Sequence, residues 1–102
     1  MKIVRVQYTT TSEYVDTNKE NIQKIVEELK TNNYPGIKYS CYLLQDGKSF
    51  MHFDQFENEE AHQFLQSLES FKKFSNELWA SNMEVEPKLE LLSMVTATEI
   101  IF

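Results

Sequence analysis

Two side chains in the run Ser49-Phe50-Met51-His52-Phe53-Asp54-Gln55-Phe56 carry the most chemistry in this sequence. His52 and Asp54 stand two apart in a strand-like stretch, so they share a face. Imidazole titrates near neutral pH, and a carboxylate beside it can orient it or share a proton. His52 is therefore a candidate general base, or a hydrogen-bond partner, for a phenolic or enolic substrate. The competing reading is a hydrogen-bonded interface histidine. Asp54 can orient His52 or form an ion pair with Arg5. Arg5 can hold a substrate carboxylate or phenolate, and Tyr42 offers a hydroxyl donor. Cys41 alternates onto the apolar side of its strand and reads as a small buried hydrophobe, not a nucleophile. His62, close to Glu59 and Glu60, reads as a helix surface residue.

Composition removes many other chemistries. Two glycines, Gly36 and Gly47, allow neither a dinucleotide-binding glycine pattern nor a phosphate loop. A single Cys permits no intrachain disulfide and no multi-cysteine metal site. His52 and His62 are ten residues apart, which is not the i, i+4 spacing of a helical zinc pair. The expectation is therefore no cofactor and no metal. The 16 acidic residues outnumber the 10 basic ones, a net charge of −6, so nucleic-acid binding is not expected. No apolar run approaches the roughly 20 residues of a membrane span. The charged start Met1-Lys2-Ile3-Val4-Arg5 lacks a signal-peptide core, and the expected location is cytoplasmic.

The elements that must position these residues follow from periodicity. Lys2 to Thr9 alternates with period two and is rich in β-branched residues, so it is a strand. Thr17-Asn18-Lys19-Glu20 has the form of a capping box, and Ile22, Ile25, Val26 and Leu29 repeat at helical spacing behind it. Asn32-Asn33-Tyr34-Pro35-Gly36 ends that helix. Ile37 to Leu44 is the second strand. Asp46-Gly47 is a strong hairpin signal, and Ser49 to Phe56 is the third strand. Asn58 caps a helix whose apolar stripe is interrupted at Ser67 and Ser70, so two pieces are expected, over about 58–66 and 68–81. Asn82 to Pro87 reads as a loop and Leu89 to Thr96 as the last strand, with Glu99-Ile100-Ile101-Phe102 a candidate extension.

One domain spanning 1–102 is expected, with β-α-β-β-α-β order. This is the α+β ferredoxin-like arrangement: a four-stranded antiparallel sheet with its helices on one face. The more apolar side of each strand should lie under the helices. That assigns Val4, Val6, Tyr8, Tyr39, Cys41, Leu43, Met51 and Phe53 to the core. Arg5, Gln7, Ser40, Tyr42, Phe50, His52, Asp54 and Phe56 then share the other face. It is too aromatic for open solvent, and a second copy pairing sheet to sheet would cover it. The expectation is a homodimer with an amphipathic small-molecule cavity between the sheets, lined by Arg5, His52 and Asp54.

The element order, the hairpin YSCYLLQDGKSFMHFDQFE and the broken helix ending SLESFKKFSNEL resemble the dimeric α/β-barrel superfamily. Within it the chain is most similar to the antibiotic-biosynthesis-monooxygenase-like proteins, over about residues 2–96. The resemblance implies two ferredoxin-like sheets paired in a dimeric barrel. It also implies a cofactor-independent oxygenase acting on a small aromatic or quinol, whose deprotonated substrate itself reacts with oxygen. The alternative it leaves open is a non-catalytic dimeric ligand-binding or stress-related protein. Haem-degrading relatives carry an Asn on the first strand, a Trp on the second helical region and a haem-ligating His after it. The matching places here hold approximately Gln7, Phe64 and Phe74 or Ser75, so the resemblance does not extend to haem.

Overall fold

The computed structural model describes residues 1–102. Its elements are β1 (Lys2–Thr9), α1 (Val15–Asn32), β2 (Ile37–Leu43), β3 (Ser49–Phe56), α2 (Glu59–Ser67), α3 (Glu69–Ala80) and β4 (Val85–Leu92), with a 3-10 turn at Ser12–Tyr14 leading into α1. The four strands form one antiparallel sheet in the order β2-β3-β1-β4. This is the ferredoxin-like arrangement, with the second helix of the motif broken into α2 and α3. No helix is long and apolar enough to cross a membrane.

Register decides which side chains meet the helices. Tyr8 lies opposite Phe50, Val6 opposite His52 and Val4 opposite Asp54. Cys41 lies opposite His52 and Tyr39 opposite Asp54. Directly opposed residues share a face. Phe50, His52, Asp54 and Phe56 therefore join Val4, Tyr8, Tyr39 and Cys41 beneath the helices, where the core includes Ile22, Ile25, Leu65, Phe74 and Leu78. This corrects the sequence reading of β3. Met51 and Phe53 are on the open face with Arg5, Gln7, Ser40 and Tyr42.

The physical reason is the parity of the hairpin. Leu44 N donates to Ser49 O at 2.8 Å, and Gly47 closes the turn with φ of +76°. The loop between the paired residues 44 and 49 has an even number of residues, so odd positions of β2 align with even positions of β3. A one-residue difference in parity exchanges the two faces.

Two other boundaries move. The 3-10 turn, with Tyr14 N donating to Thr11 O at 3.2 Å, starts the helical path before Thr17. Thr17 is therefore inside α1 and no capping box forms. Residues 18, 21, 22 and 25 then make one buried stripe, two of them asparagines. At the other end β4 begins at Val85 and takes in Pro87, which is tolerated on an edge strand near the register shift beside Gln7 and Thr9. It stops at Leu92, opposite Ile3 near the start of β1. Glu99 to Phe102 adds no strand.

Asn58 caps α2 as expected, its Oδ1 accepting from Ala61 N at 2.9 Å. The break falls at Leu68, whose extended backbone (φ −66°, ψ 137°) cannot supply a side-chain cap to α3. Glu28 of α1 does so from across the helix pair, accepting from Ser70 N at 3.2 Å and from the Ser70 hydroxyl. A carboxylate at a helix N-terminus satisfies an orphan amide and complements the dipole. Glu28→Ala should therefore lower unfolding free energy by about 1 kcal/mol, in the range of lost N-caps. Glu28→Gln, which keeps the acceptor, should cost less; urea denaturation of both variants checks this.

Candidate functional site

The site begins with a polar side chain buried under helices. His52 is 4% exposed on the middle of β3, and an imidazole there is costly unless both nitrogens are bonded. They are. Tyr8 Oη lies 2.8 Å from Nε2 and Tyr39 Oη lies 3.1 Å from Nδ1. Tyr8 is placed by β1 and Tyr39 by β2, the strands on either side of β3. Asn18, fully buried on α1, donates from Nδ2 to Tyr8 Oη at 2.9 Å. Four side chains from four elements thus form one hydrogen-bonded line. Phe74 of α3 closes over the imidazole with ring centres 5.4 Å apart.

Beside this line is a cavity of ≈ 150 Å³. Its floor is Val4, Val6, Tyr8, Tyr39, His52 and Asp54 of the sheet. Its roof is His62, Leu65 and Gln66 of α2 with Phe71, Phe74 and Leu78 of α3. Trp79, Pro87 and Leu89 stand at its edge, and Trp79 and Leu89 are more than half exposed. The helix break at Leu68 lies between the two roof segments, so both pieces contribute walls.

Asp54 is the exceptional group. It is 7% exposed, and its buried Oδ1 has no hydrogen-bond partner in the protein. Burial pushes its carboxyl up to about 8. Burial pushes His52 down to about 4, so the imidazole is neutral at physiological pH. Tyr8 and Tyr39 are both held above their ordinary value, again chiefly by burial. Burial also pushes the Cys41 thiol up to about 12, consistent with an inert side chain. His62 stacks on Phe56 at 4.5 Å and keeps a buried, unpartnered Nδ1 toward the protein interior. It is a wall residue of the cavity and not the plain surface residue expected. No three His, Cys, Asp or Glu side chains converge on a point that could hold a metal.

Of the sequence candidates, the structure brings His52 and Asp54 together and separates them from Arg5 and Tyr42. Arg5 lies on the open face, donating to Glu90 Oε1 at 2.7 Å and to Gln7 Oε1. Tyr42 is on that face too and 53% exposed. Arg5 therefore cannot share a cavity with His52 and Asp54, because the sheet itself stands between them. This cavity lies within the single chain, between the sheet and the helices. Sequence reasoning gave Tyr8 and Tyr39 no role beyond packing and gave Asn18 none at all. A signal for Asn18 existed: it sits on the same helical stripe as Ile22 and Ile25, where a polar residue needs a partner.

No protein-family model matches the chain, and no curated protein matches it. Solved structures do. One described as an antibiotic biosynthesis monooxygenase superposes with a TM-score of 0.78 at 19% identity, covering 94% of this chain and 100% of its own. A protein from Deinococcus radiodurans, described as a putative member of that group, gives 0.77 at 14% identity and covers 100% of both chains. Another such protein, from Nitrosomonas europaea, gives 0.77 at 12% identity over 96% of this chain and 93% of its own. Likeness at these identities shows that the chain has the antibiotic-biosynthesis-monooxygenase-like fold.

The two perturbed groups leave opposite marks on stability. His52 falls from 6.5 to about 4, so its contribution is complete above pH 6.5 and is lost as pH falls toward 4. Asp54 rises from 3.8 to about 8, so its contribution is complete below 3.8 and is lost as pH rises toward 8. Between pH 4 and 6.5 the two slopes oppose each other; from 6.5 to 8 only Asp54 acts. The urea midpoint should therefore fall from pH 6.5 to 8 in the wild type and stay level there in Asp54→Asn.

Proposed function

We propose that the protein binds a single-ring phenol or quinol in the cavity under α2 and α3 and oxygenates it without a cofactor. The observation that carries this reading is the unpartnered Asp54 carboxyl facing an apolar, single-ring-sized space. A cavity of about 150 Å³ lined by apolar side chains is enough for one benzene ring. Fused polycyclic rings need more room. The neighbours' description as monooxygenases supports an oxygenase over other chemistries.

Asp54 is the base in this reading. A carboxyl pushed up to about 8 is a much stronger base than an ordinary aspartate and is matched to an acidic phenol. It takes the ring hydroxyl proton. The phenolate passes an electron to O2, a C–O bond forms at a ring carbon, and Asp54 returns its proton to the peroxide oxygen to give a hydroperoxide. Loss of that carbon's hydrogen as a proton and cleavage of the O–O bond release water and leave a quinone carbonyl. One O2 is consumed and one water formed per turnover. His52, with both ring nitrogens engaged by tyrosines, acts through them and does not meet the substrate as a base.

Oxygen uptake across a panel of single-ring and polycyclic phenols tests the reading. Turnover is expected with single-ring quinols and should rise with pH through about 8. Asp54→Asn should lower the rate by on the order of 10²–10⁴ while ligand-induced thermal stabilisation persists. Binding without oxygen uptake in the wild type would overturn the enzymatic reading in favour of a ligand-binding protein.

We also propose that a second copy covers the open face. Tyr42, Met51, Phe53 and Leu92 place apolar surface there around the Arg5–Glu90 pair. A stable sheet-to-sheet pairing would bury on the order of 2,000 Å². Sedimentation should give a dimer at micromolar concentration, and Phe53→Glu should give a folded monomer. A monomeric wild type would refute the pairing and leave the cavity reading intact, because the cavity lies inside one protomer.

A further inference from the structure

The line of hydrogen bonds behind the cavity has a direction. Tyr8 Oη accepts from Asn18 Nδ2 at 2.9 Å. Tyr8 is 1% exposed, and His52 Nε2, at 2.8 Å from its hydroxyl, is the acceptor available to its proton. If Nε2 carried hydrogen instead, the Tyr8 proton would be orphaned, at the cost of a buried unsatisfied donor. Nε2 is therefore the acceptor, and in a neutral imidazole the hydrogen is then on Nδ1. Nδ1–H donates to Tyr39 Oη at 3.1 Å. That leaves the Tyr39 hydroxyl proton free at the cavity wall, beside Asp54. Reversing the line would turn the Asn18 amide around and bury both of its N–H groups without acceptors, whereas now one N–H and Oδ1 lack partners. A buried N–H is left unpaired less readily than a carbonyl oxygen, and the Tyr39 proton lies at the cavity wall, so Asn18 biases the whole line.

We propose that Asn18 is a positioning residue which, through Tyr8 and His52, holds the Tyr39 hydroxyl as a donor into the cavity, so that the site takes a ligand presenting an anionic or carbonyl oxygen at Tyr39. The proposal rests on the phenol-binding reading for its ligand but not for its direction. Each donor in the line is strengthened by the bond it accepts, so Tyr39 is a better donor than an isolated tyrosine. The oxygen left behind when Asp54 takes a proton is where that donor acts, in a site lined mostly by apolar side chains. Asn18 itself touches no ligand.

The test uses the full-length protein labelled with ¹⁵N-histidine and the probe 4-nitrophenol, whose phenolate is read by its absorbance. In ligand-free wild type, the ¹⁵N shifts and two-bond couplings of His52 should show hydrogen on Nδ1. Asn18→Leu removes the bias and should give a mixed or Nε2–H tautomer. Tyr39→Phe leaves Tyr8 held by Asn18 and should keep Nδ1–H. Both variants should bind 4-nitrophenolate about fivefold more weakly than the wild type, the worth of one hydrogen bond. Hydrogen on Nε2 in the wild type, or an unchanged Nδ1 tautomer in folded Asn18→Leu, would overturn the proposal. If Asn18→Leu does not fold, an Nε2–H tautomer in Tyr39→Phe would overturn it as well. Failure of the wild type to bind 4-nitrophenol would refute the phenol-binding reading and the ligand part of this proposal, while the tautomer result still decides its direction.

Discussion

The structure depends on the burial of one imidazole in the middle of β3. His52 cannot be solvated under the helices, so its two nitrogens must be met by protein groups. The sheet order β2-β3-β1 places a tyrosine on each side of it, and α1 places an asparagine behind one of those tyrosines. Removing Tyr8, His52 or Tyr39 leaves another polar group of the line buried without its partner. The four residues therefore tie register, helix rotation and site geometry together. α1 must turn Asn18 inward, and the strands must keep Tyr8 and Tyr39 on the helix side.

Asp54 is the counterpart that this network leaves out. Its neighbours on the sheet are Val4 and Tyr39, and no side chain completes its buried oxygen. A folded protein gains nothing from an unpaired buried carboxyl, and such groups concentrate at functional sites. The helix break at Leu68 has the same character. A continuous helix would keep its own amides satisfied, whereas the break requires Glu28 to cap α3 from a distance. In return the two pieces roof the cavity from both sides of the break. Two of the orphaned buried polar atoms of this small domain, Asp54 Oδ1 and His62 Nδ1, belong to residues that line that one space.

Much of the fold was legible in the sequence because its signals are local. Period two marked β1 and β3 at their observed limits, and the break after α2 was visible in Ser67 and Ser70 interrupting an apolar stripe. The site was legible as a pair of residues, His52 and Asp54, but not as a place. Judging β3 by the polarity of its two sides favoured Met51 and Phe53 as the core. A histidine can be buried if tyrosine hydroxyls meet it, and polarity alone does not record that. The hairpin did record it. A two-residue Asp46-Gly47 turn pairs Gln45 with Lys48, and by counting back it sets Cys41 against His52, the observed partner. Turn parity was the sounder guide to the face, because it is set by backbone geometry and not by average side-chain preference.

What the sequence by itself determined is what lies within a few residues along the chain: element types, the Asn58 cap, the Asp46-Gly47 turn, the order that makes a ferredoxin-like sheet, and the absence of glycine-rich or multi-cysteine motifs. What only the tertiary structure decided depends on residues far apart in the chain. The 3-10 turn before α1 rotates Asn18 inward, and β4 ends where it meets the start of β1. The sheet's thickness separates Arg5 and Tyr42 from His52 and Asp54, although all four are strand residues. The relay itself joins positions 8, 18, 39 and 52, which no local pattern links. Its members meet because a buried polar group must be satisfied by whatever the packed elements bring within hydrogen-bond distance, and that is a property of the folded arrangement.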